Sequence, residues 1–477
     1  MNMIYGELLN SNYTPMKLHY QREVKNIIKL AVPVILAQIS QTAITFVDTI
    51  MAGHYSATAL SGVAIAVSIW LPTILFGQGL LSVLTPIISN LNGAAKRDQI
   101  ADHTRQGMVI ATILSIIMII FLYHADVLIN LRSTAEHPID SEMVEVAVNF
   151  LRAIMWGAPG FLYFLVYRNQ CEGLSNTKPA MVIMFIALLA NIPINYVLIY
   201  GKLGLPAFGG VGCGITAAII FWLMFALIKI FTLTTRTQSD IRQTPITQII
   251  NIVVIKRIFV LGTPLALAYF FEISLFAVVA LLIAPLGQTT VAAHQIIFTI
   301  SSMAFAIPLS LGVATSIRVG YLLGNNKPIL AKQTAYVSLA ISLTAAIIVA
   351  LLLLLFKSFI LMLFTTEDSV TVIGLQLIIL LAIYQVSDYI QVVASNVLRG
   401  YKDTKSILYI TLISYWVFGL PVGYILGLTN IVIEPLGVAG FWIGFISGLS
   451  IAALLLISRM IYIQRQPIKT ILKRAAS

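Results

Sequence analysis

Charge is what this chain has least of. Only 10% of its 477 residues are Asp, Glu, Lys or Arg, against 59% that are hydrophobic. A soluble protein of this length carries about 25% charge. With a mean hydropathy of +0.95, a soluble globular fold is excluded. Cysteine is almost absent too. Cys171 and Cys213 make neither a disulfide framework nor a CxxC pair. There is no HExxH, and the six histidines are scattered, so no structural metal or redox centre is expected. No GxxxxGK[ST] phosphate loop occurs, and no polar stretch is long enough for a nucleotide-binding domain. Energy for any pumping must then come from an ion gradient or from the substrate's own gradient. Residues 1–25 lack a short apolar core followed by small residues, so no cleavable leader is expected. The first membrane helix is expected to act as the insertion signal.

What is present is a series of long apolar runs. Each is about as long as a bilayer core is thick, roughly 20 residues or more. Without water to satisfy backbone groups, only helix bundles and closed barrels span lipid. The runs are continuous, not alternating, which selects helices. Twelve spans are predicted, near 27–51, 59–88, 107–129, 144–170, 179–200, 210–233, 257–284, 290–318, 335–364, 372–398, 406–427 and 437–462. The expected fold is an all-α polytopic membrane protein.

Orientation follows from Lys and Arg. With both termini cytoplasmic, Arg132, Lys202 and Lys357 fall outside and Arg152 falls within a span; the other Lys and Arg of the 29 lie inside. The net charge of +11 is therefore a topology signal, and no nucleic-acid partner is implied.

The halves repeat. "LAVPVILAQ" with Pro33 matches "LGTPLALAY" with Pro264 at an offset of 231. "GLSNTK" (173–178) matches "GYKDTK" (400–405) at 227, and "NIPINY" (191–196) matches "GLPVGY" (419–424) at 228. Six helices per half is an even number, so both halves enter the membrane the same way. This predicts two six-helix lobes, 1–240 and 241–477, related by a pseudo-twofold along the membrane normal. A polar linker near 234–255 joins them, and a central cavity between them suits alternating access. Pro33, Pro193 and Pro264 are candidate kinks, since proline removes a helix donor.

Three acids stand inside spans: Asp48, Glu272 and Asp388. Each costs about 2.5–3.5 kcal/mol at a helix centre, so each needs a partner or a function. Arg152 reads as the one intramembrane base, able to pair with Glu145 or Asp48. Asn191 and Asn195 are four residues apart and share a helix face. With Asp48, Thr216 and the carbonyl freed by Pro193 they form an oxygen-only set that suits sodium or a proton relay. The alternative for these residues is helix–helix hydrogen bonding. Tyr384 and Asp388 are also four apart, and the ring offers a hydroxyl or a π face to a cation. At the repeat offsets Asp48 aligns with Val279, Glu272 with Gln41, and Asn191 and Asn195 with Gly419 and Gly423. The scaffold repeats while the acid chemistry does not. A substrate pocket is expected to be broad and apolar, with Phe46, Met51, Trp70, Phe270 and Phe271 as candidate lining.

The order of "VP…D…MAG" (32–53), "GLSNTK", "NIPINYVLIYGKLG", "GGVGCG", "TPLALAYFFE", "AAHQI" and the Tyr384/Asp388 pair resembles the multidrug and toxic compound extrusion (MATE) transporters, in particular their NorM-like branch. The resemblance covers nearly the whole chain. It implies antiport, with export of amphipathic cationic drugs and dyes driven by sodium or protons, and hence antibiotic resistance. It also implies a bacterial cytoplasmic membrane, no cofactor beyond the transported ion, and no obligate protein partner. Its second-lobe cation site falls on Glu272, Asp388 and Tyr384. Its first-lobe acid falls on Asp48, beside Asn191, Asn195 and Thr216. Some relatives carry a second acid where Asn195 stands, which weakens a pure proton relay here. Two other readings compete. One is a lipid-linked precursor flippase of the same superfamily, which tends to have fourteen spans and a basic cavity. The other is an integral membrane enzyme, for which His54, His103, His124 and His294 form no recognisable set.

Overall fold

The computed structural model describes residues 16–130, 141–244 and 250–476. Residues 1–15, Arg132 and the middle of the predicted linker lie outside them. Among the described residues, twelve helices are long and apolar enough to cross a membrane. They are α1 (Tyr20–Tyr55), α2 (Ala57–Gly93), α3 (Asp98–Tyr123), α4 (Ser141–Gly173), α5 (Lys178–Tyr200) and α6 (Gly210–Thr234), then α7 (Ile252–Leu286), α8 (Gln288–Gly324), α9 (Pro328–Leu355), α10 (Asp368–Gly400), α11 (Thr404–Leu428) and α12 (Val438–Gln464). A short amphipathic α13 (Ile468–Ala476) follows. The spans fall where the apolar runs predict them, most extended by a few residues at their ends. The ninth departs further. α9 ends at Leu355 and a separate short helix covers Lys357–Met362. At 1.5 Å per residue, the 36 residues of α1 exceed a hydrocarbon core of about 30 Å, so this helix tilts or protrudes.

The backbone repeats in detail. Left-handed residues recur in pairs: Ala95 (φ 56°) with Asn326 (φ 53°), and Ser175 (φ 61°) with Lys402 (φ 60°). Gly209 (φ 54°, ψ −132°) and Gly437 (φ 58°, ψ −132°) enter α6 and α12 with one conformation. The pairs stand at the same offsets as the sequence repeats. Each of these helix ends closes alike. Lys96 N–H donates to Leu91 O and Lys327 N–H to Leu322 O, both at 2.9 Å. This bond, closed around a left-handed residue, satisfies a carbonyl the helix end would leave bare. The molecule is thus two six-helix lobes about a pseudo-twofold axis. In chain order they are an N-lobe (α1–α6) and a C-lobe (α7–α12).

The lobes meet at the end of the bundle that carries the termini. There α2 and α8 cross with no room for side chains between them. A Cβ on Gly93 would overlap the Tyr321 carbonyl, and one on Gly324 would overlap the Asn90 carbonyl. Tyr321 lies 231 residues after Asn90, so one contact is made twice, once from each lobe. Further along the seam, Gly262 of α7 meets the Leu80 backbone and Gly79 of α2 meets Ala266 and Tyr269. Ser89 Oγ donates to the Ile317 carbonyl across the same joint. Glu23 of α1, 1% exposed, accepts from Arg318 Nη2 at 2.6 Å and Nε at 2.8 Å and from Thr334 Oγ1 at 3.0 Å.

The linker is held to the N-lobe. Arg97 pairs with Asp240 at 2.5 Å and donates to the Thr237 carbonyl at 2.7 Å. The guanidinium holds the Asp240 carboxyl below the usual carboxylate range. α13 tucks Ile471 and Ala475 inward. Its last carbonyls accept from Lys402 and Arg257, cations where a helix C-terminus favours them.

Gly324→Ala is expected to destabilise the protein by about 1–3 kcal/mol, because backbone and not a yielding side chain faces the new methyl. The check is thermal unfolding in detergent, with Gly53→Ala as control, since a Cβ there would meet only Leu60 Cδ2 at 3.5 Å, an ordinary contact. An unchanged midpoint for Gly324→Ala would contradict the close α2–α8 crossing.

Candidate functional site

In the N-lobe, α1 carries Asp48 opposite one face of α5. Asp48 Oδ1 accepts from Asn191 Nδ2 at 3.1 Å and from Asn195 Nδ2 at 2.5 Å. Asn195 also donates to Asn191 Oδ1 at 3.1 Å. Both asparagines are fully buried, and Asp48 is partly exposed. Cys213 Sγ of α6 sits 3.8 Å from the Asp48 carbonyl. One turn on, Thr216 is buried with its hydroxyl unpartnered among the described residues. Asn195 Oδ1 is also unpartnered. The structure therefore joins Asp48, Asn191 and Asn195 directly. Thr216 lines the same lobe interior without a hydrogen bond to them.

Arg152 takes no part in this set. Its guanidinium lies over the Tyr123 ring at 5.2 Å. Among the described residues it forms no ion pair with Glu145 or Asp48.

In the C-lobe, Asp388 and Tyr384 of α10 are 2% and 5% exposed. Glu272 of α7 lines a small void with Tyr384 and Tyr415, about 10 Å³ in volume. That is near the space of one water-sized probe. Tyr415 sits on a π-helical segment of α11, Ile413–Gly419. Such segments often occur at functional sites. Buried polar atoms without partners gather in this lobe: Tyr415 OH, Ser414 Oγ, and both amide atoms of Gln385. Buried polar groups are normally satisfied, so this interior is suited to water or an ion. Among the described residues no Lys or Arg pairs with Glu272 or Asp388.

The symmetry mates explain why the lobes differ. Val279, at the Asp48 position, is buried in the C-lobe core. Gly419 and Gly423, at the Asn191 and Asn195 positions, let α11 approach Gly444 of α12. One lobe fills this interface with amides, the other with bare backbone.

A cavity of about 760 Å³ lies in the half of the bundle away from the termini. α2, α3 and α7 supply its wall, including Ile65, Phe76, Met118 and Phe270, and no charged residue lines it. Of the predicted aromatic lining only Phe270 reaches it. Trp70 packs in the N-lobe, stacked on Phe221 at 6.0 Å. Phe271 turns to Trp416, whose Nε1 donates to its carbonyl at 3.2 Å. Met51 packs against the N-lobe core, and Phe46 is 65% exposed. Pro33, Pro193 and Pro264 each lie inside a helix, as does the unanticipated Pro72.

Sequence reasoning missed Glu23, Tyr415, Gln385 and the buried Arg399. Glu23 and Arg399 flank the apolar runs. A signal for Tyr415 was its place four residues before Gly419, the mate of Asn191.

Comparison with known proteins now bears on this arrangement. The MatE family model matches twice, over residues 33–197 and 264–425, which is more than half of the chain. The chain belongs to the MatE family. The two matched segments begin at the paired prolines, Pro33 and Pro264. Among solved structures, the eukaryotic MATE transporter AtDTX14 is similar at 23% identity, with a TM-score of 0.86, covering 96% of this chain and 99% of that one. A mutant of the Vibrio cholerae MATE transporter VcmN is similar at 17% identity, TM-score 0.83, over 95% and 100%. A MOP superfamily transporter from Pyrococcus furiosus, described as having a binding pocket of reverse polarity, is similar at 21% identity, TM-score 0.83, over 93% and 97%. The fold is thus that of the MATE multidrug transporters. Members of this family are transporters, which sets aside the enzyme reading.

Asn195→Leu is expected to cost about 1.5–3 kcal/mol, the value of a hydrogen bond to a charged group. In an Asp48→Asn background most of that loss should vanish. Thermal melts of the four proteins give the coupling, and simple additivity would count against the Asp48–Asn195 contact.

Proposed function

We propose that this MatE protein is a secondary active antiporter, exporting amphipathic cationic drugs and dyes in exchange for sodium or protons. One observation carries the reading: two buried intramembrane acids in the C-lobe, Glu272 and Asp388, are free of basic partners among the described residues, and Glu272 lines an ion-sized void with Tyr384 and Tyr415. Hard monovalent cations prefer such oxygen sets. Tyrosine oxygen and ring add to the site without adding charge. Sodium is the first choice of ion. On this reading the protein has no other cofactor, no obligate protein partner and no nucleic-acid ligand, and it contributes to antibiotic resistance.

Orientation supports alternating access. The protein is placed in a bacterial cytoplasmic membrane with both termini inside, following its Lys and Arg bias. The seam at the terminal end is closed, and the large cavity lies in the other half, so this is the outward-facing form. The lobes, residues 1–240 and 241–477, rock as units about their crossing. A cation entering from outside neutralises an acid that a cationic drug also needs. Drug and ion then compete, and the inward ion gradient expels the drug. A net charge moving inward through 100 mV supplies about 2.3 kcal/mol, near a fifty-fold concentration ratio, whereas one-for-one exchange with a monovalent cationic drug is electroneutral and draws on the ion's concentration gradient alone.

A flippase of the same superfamily is the second reading. Its pyrophosphate-bearing cargo requires a basic interior. The acids Asp48, Glu272 and Asp388 oppose that polarity.

Glu272→Gln and Asp388→Asn are each expected to abolish sodium-stimulated dye efflux while the protein still reaches the membrane. Efflux is measured in cells lacking other pumps, with and without sodium at a fixed pH gradient. If both variants retain sodium stimulation, the C-lobe site is not the coupling site. If protons alone stimulate the unaltered protein, the ion is the proton.

A further inference from the structure

The last described helix, α13, lies on the sealed end of the bundle. Pro467 cannot continue α12. Its carbonyl accepts from the N–H groups of Thr470 and Ile471 at 2.9 and 3.1 Å, which starts a new helix. α13 packs on α8 and α9. Its Ile471 and Ala475 belong to the apolar cluster that joins Ile87 and Leu91 of α2 to Leu322 and Leu323 of α8. Arg474 reaches Asp403 at 3.6 Å, and the same carboxylate accepts from Arg459 at 2.7 Å. α13 is thus seated on the C-lobe.

Its carbonyl end reaches further. A helix leaves its last carbonyls without partners of its own. The Ala476 carbonyl accepts from Arg257 Nη2 at 2.7 Å. The Ala475 carbonyl accepts from Nζ of Lys402, which is 6% exposed. Ala475 also meets Asn90 of the N-lobe. The buried Asn90 amide is oriented by its partners. Its oxygen accepts from the Gly324 N–H at 3.0 Å, and its nitrogen donates to the Ala475 carbonyl at 3.1 Å. Gly324 is the residue that rests on the Asn90 backbone carbonyl. One carbonyl of α13 therefore takes a donor from each lobe, at the crossing of α2 and α8.

The other lobe has no equivalent. A short helix, Ser239–Gln243, follows α6 as α13 follows α12. The bonds around it, Arg97 to Asp240 and Gln170 Nε2 to Gln238 Oε1 at 2.8 Å, stay within the N-lobe. The symmetry mate of Lys402 is Ser175, which is exposed. Two further polar contacts across the seam, Ser89 to the Ile317 carbonyl and Arg399 Nη2 to the Ser82 carbonyl, join one transmembrane helix to another. α13 lies outside the twelve spans, so its grip is separable from both lobes.

We propose that α13 is a latch on the terminal-end seam: seated on the C-lobe, it grips Asn90 of the N-lobe only while α2 and α8 are crossed, and so biases the lobes toward the form closed at that end. When the lobes part, Asn90 leaves with α2, while Lys402 and Arg257 stay with α13. The closed form then holds one more buried hydrogen bond, together with the apolar cover of Ile471 and Ala475. Such a latch shifts the populations of two forms without touching cargo or ion. The inference goes beyond the antiport reading and holds for any cargo.

The test uses the full chain in lipid nanodiscs, with Cys171 and Cys213 replaced by Ala, Ser89→Cys as probe, and a protease site inserted between Gln466 and Pro467. Ser89 is fully buried at the α2–α8 joint, so a water-soluble thiol reagent reaches the probe only when the seam parts, and the labelling rate follows the open population. The protein is cut after it has folded, and release of α13 is checked by mass. Cutting should speed labelling about fivefold or more, the worth of one buried hydrogen bond. A chain ending at Gln466 should label as fast, and it decides the matter if the freed helix stays bound. Asn90→Ala should also speed labelling of the uncut protein, and cutting that variant should add little. An unchanged rate without α13 would overturn the latch. So would a cut whose effect is as large in Asn90→Ala as with Asn90 in place, since the grip would then lie elsewhere.

Discussion

The closest approach between the lobes is made by backbone. Gly93 rests on the Tyr321 carbonyl and Gly324 on the Asn90 carbonyl, so α2 and α8 touch with nothing between them. In lipid no hydrophobic force drives helices together, and close packing of small residues takes its place. This joint sits at the terminal end only. Everything else follows from that placement: the large cavity opens in the other half, and the interior acids lie between a sealed end and an accessible one. Because each lobe supplies one glycine and one carbonyl, the joint has the symmetry a rocking motion needs.

Around that joint the lobes share a scaffold and divide the chemistry. The turns with left-handed Ala95, Asn326, Ser175 and Lys402 repeat to within a few degrees of φ. The polar interiors do not. The N-lobe surrounds one carboxylate with two amides that donate to it. The C-lobe keeps two carboxylates with tyrosines and a void, and leaves amides and hydroxyls unpartnered. Donors aimed at a carboxylate hold it in place. A void beside a carboxylate leaves room for something mobile. On the antiport reading proposed above, that contrast gives the Asp48 set structural rigidity and the Glu272 set exchange.

Much of the architecture was legible beforehand because lipid imposes simple rules. Span positions follow from apolar length, and the repeat follows from Pro33 and Pro264 and the offsets around them. Asp48 with Asn191 and Asn195 was legible because an acid inside a span needs donors and two asparagines four apart share a face. The pocket was not. Trp70 and Phe271 are spent on packing against Phe221 and Trp416, and an aromatic in an apolar run looks the same whether it meets a substrate, a neighbour or lipid. Arg399 and Glu23 lie just outside the predicted spans 372–398 and 27–51, and the edge of an apolar run says nothing of how far a neighbouring lobe covers it.

The sequence by itself determined the number of spans, the parallel repeat, the membrane setting and the acids that need explaining. Each rests on local chemistry, the cost of backbone or charge in hydrocarbon, which a residue incurs whatever its neighbours. Only the tertiary structure decided which end is sealed, that Tyr415 completes the void at Glu272, and that Arg399 reaches Ser82 across the seam. Those depend on distances of a few ångströms between helices far apart in the chain, where the absence of a single Cβ at Gly93 or Gly324 sets how closely two lobes can meet.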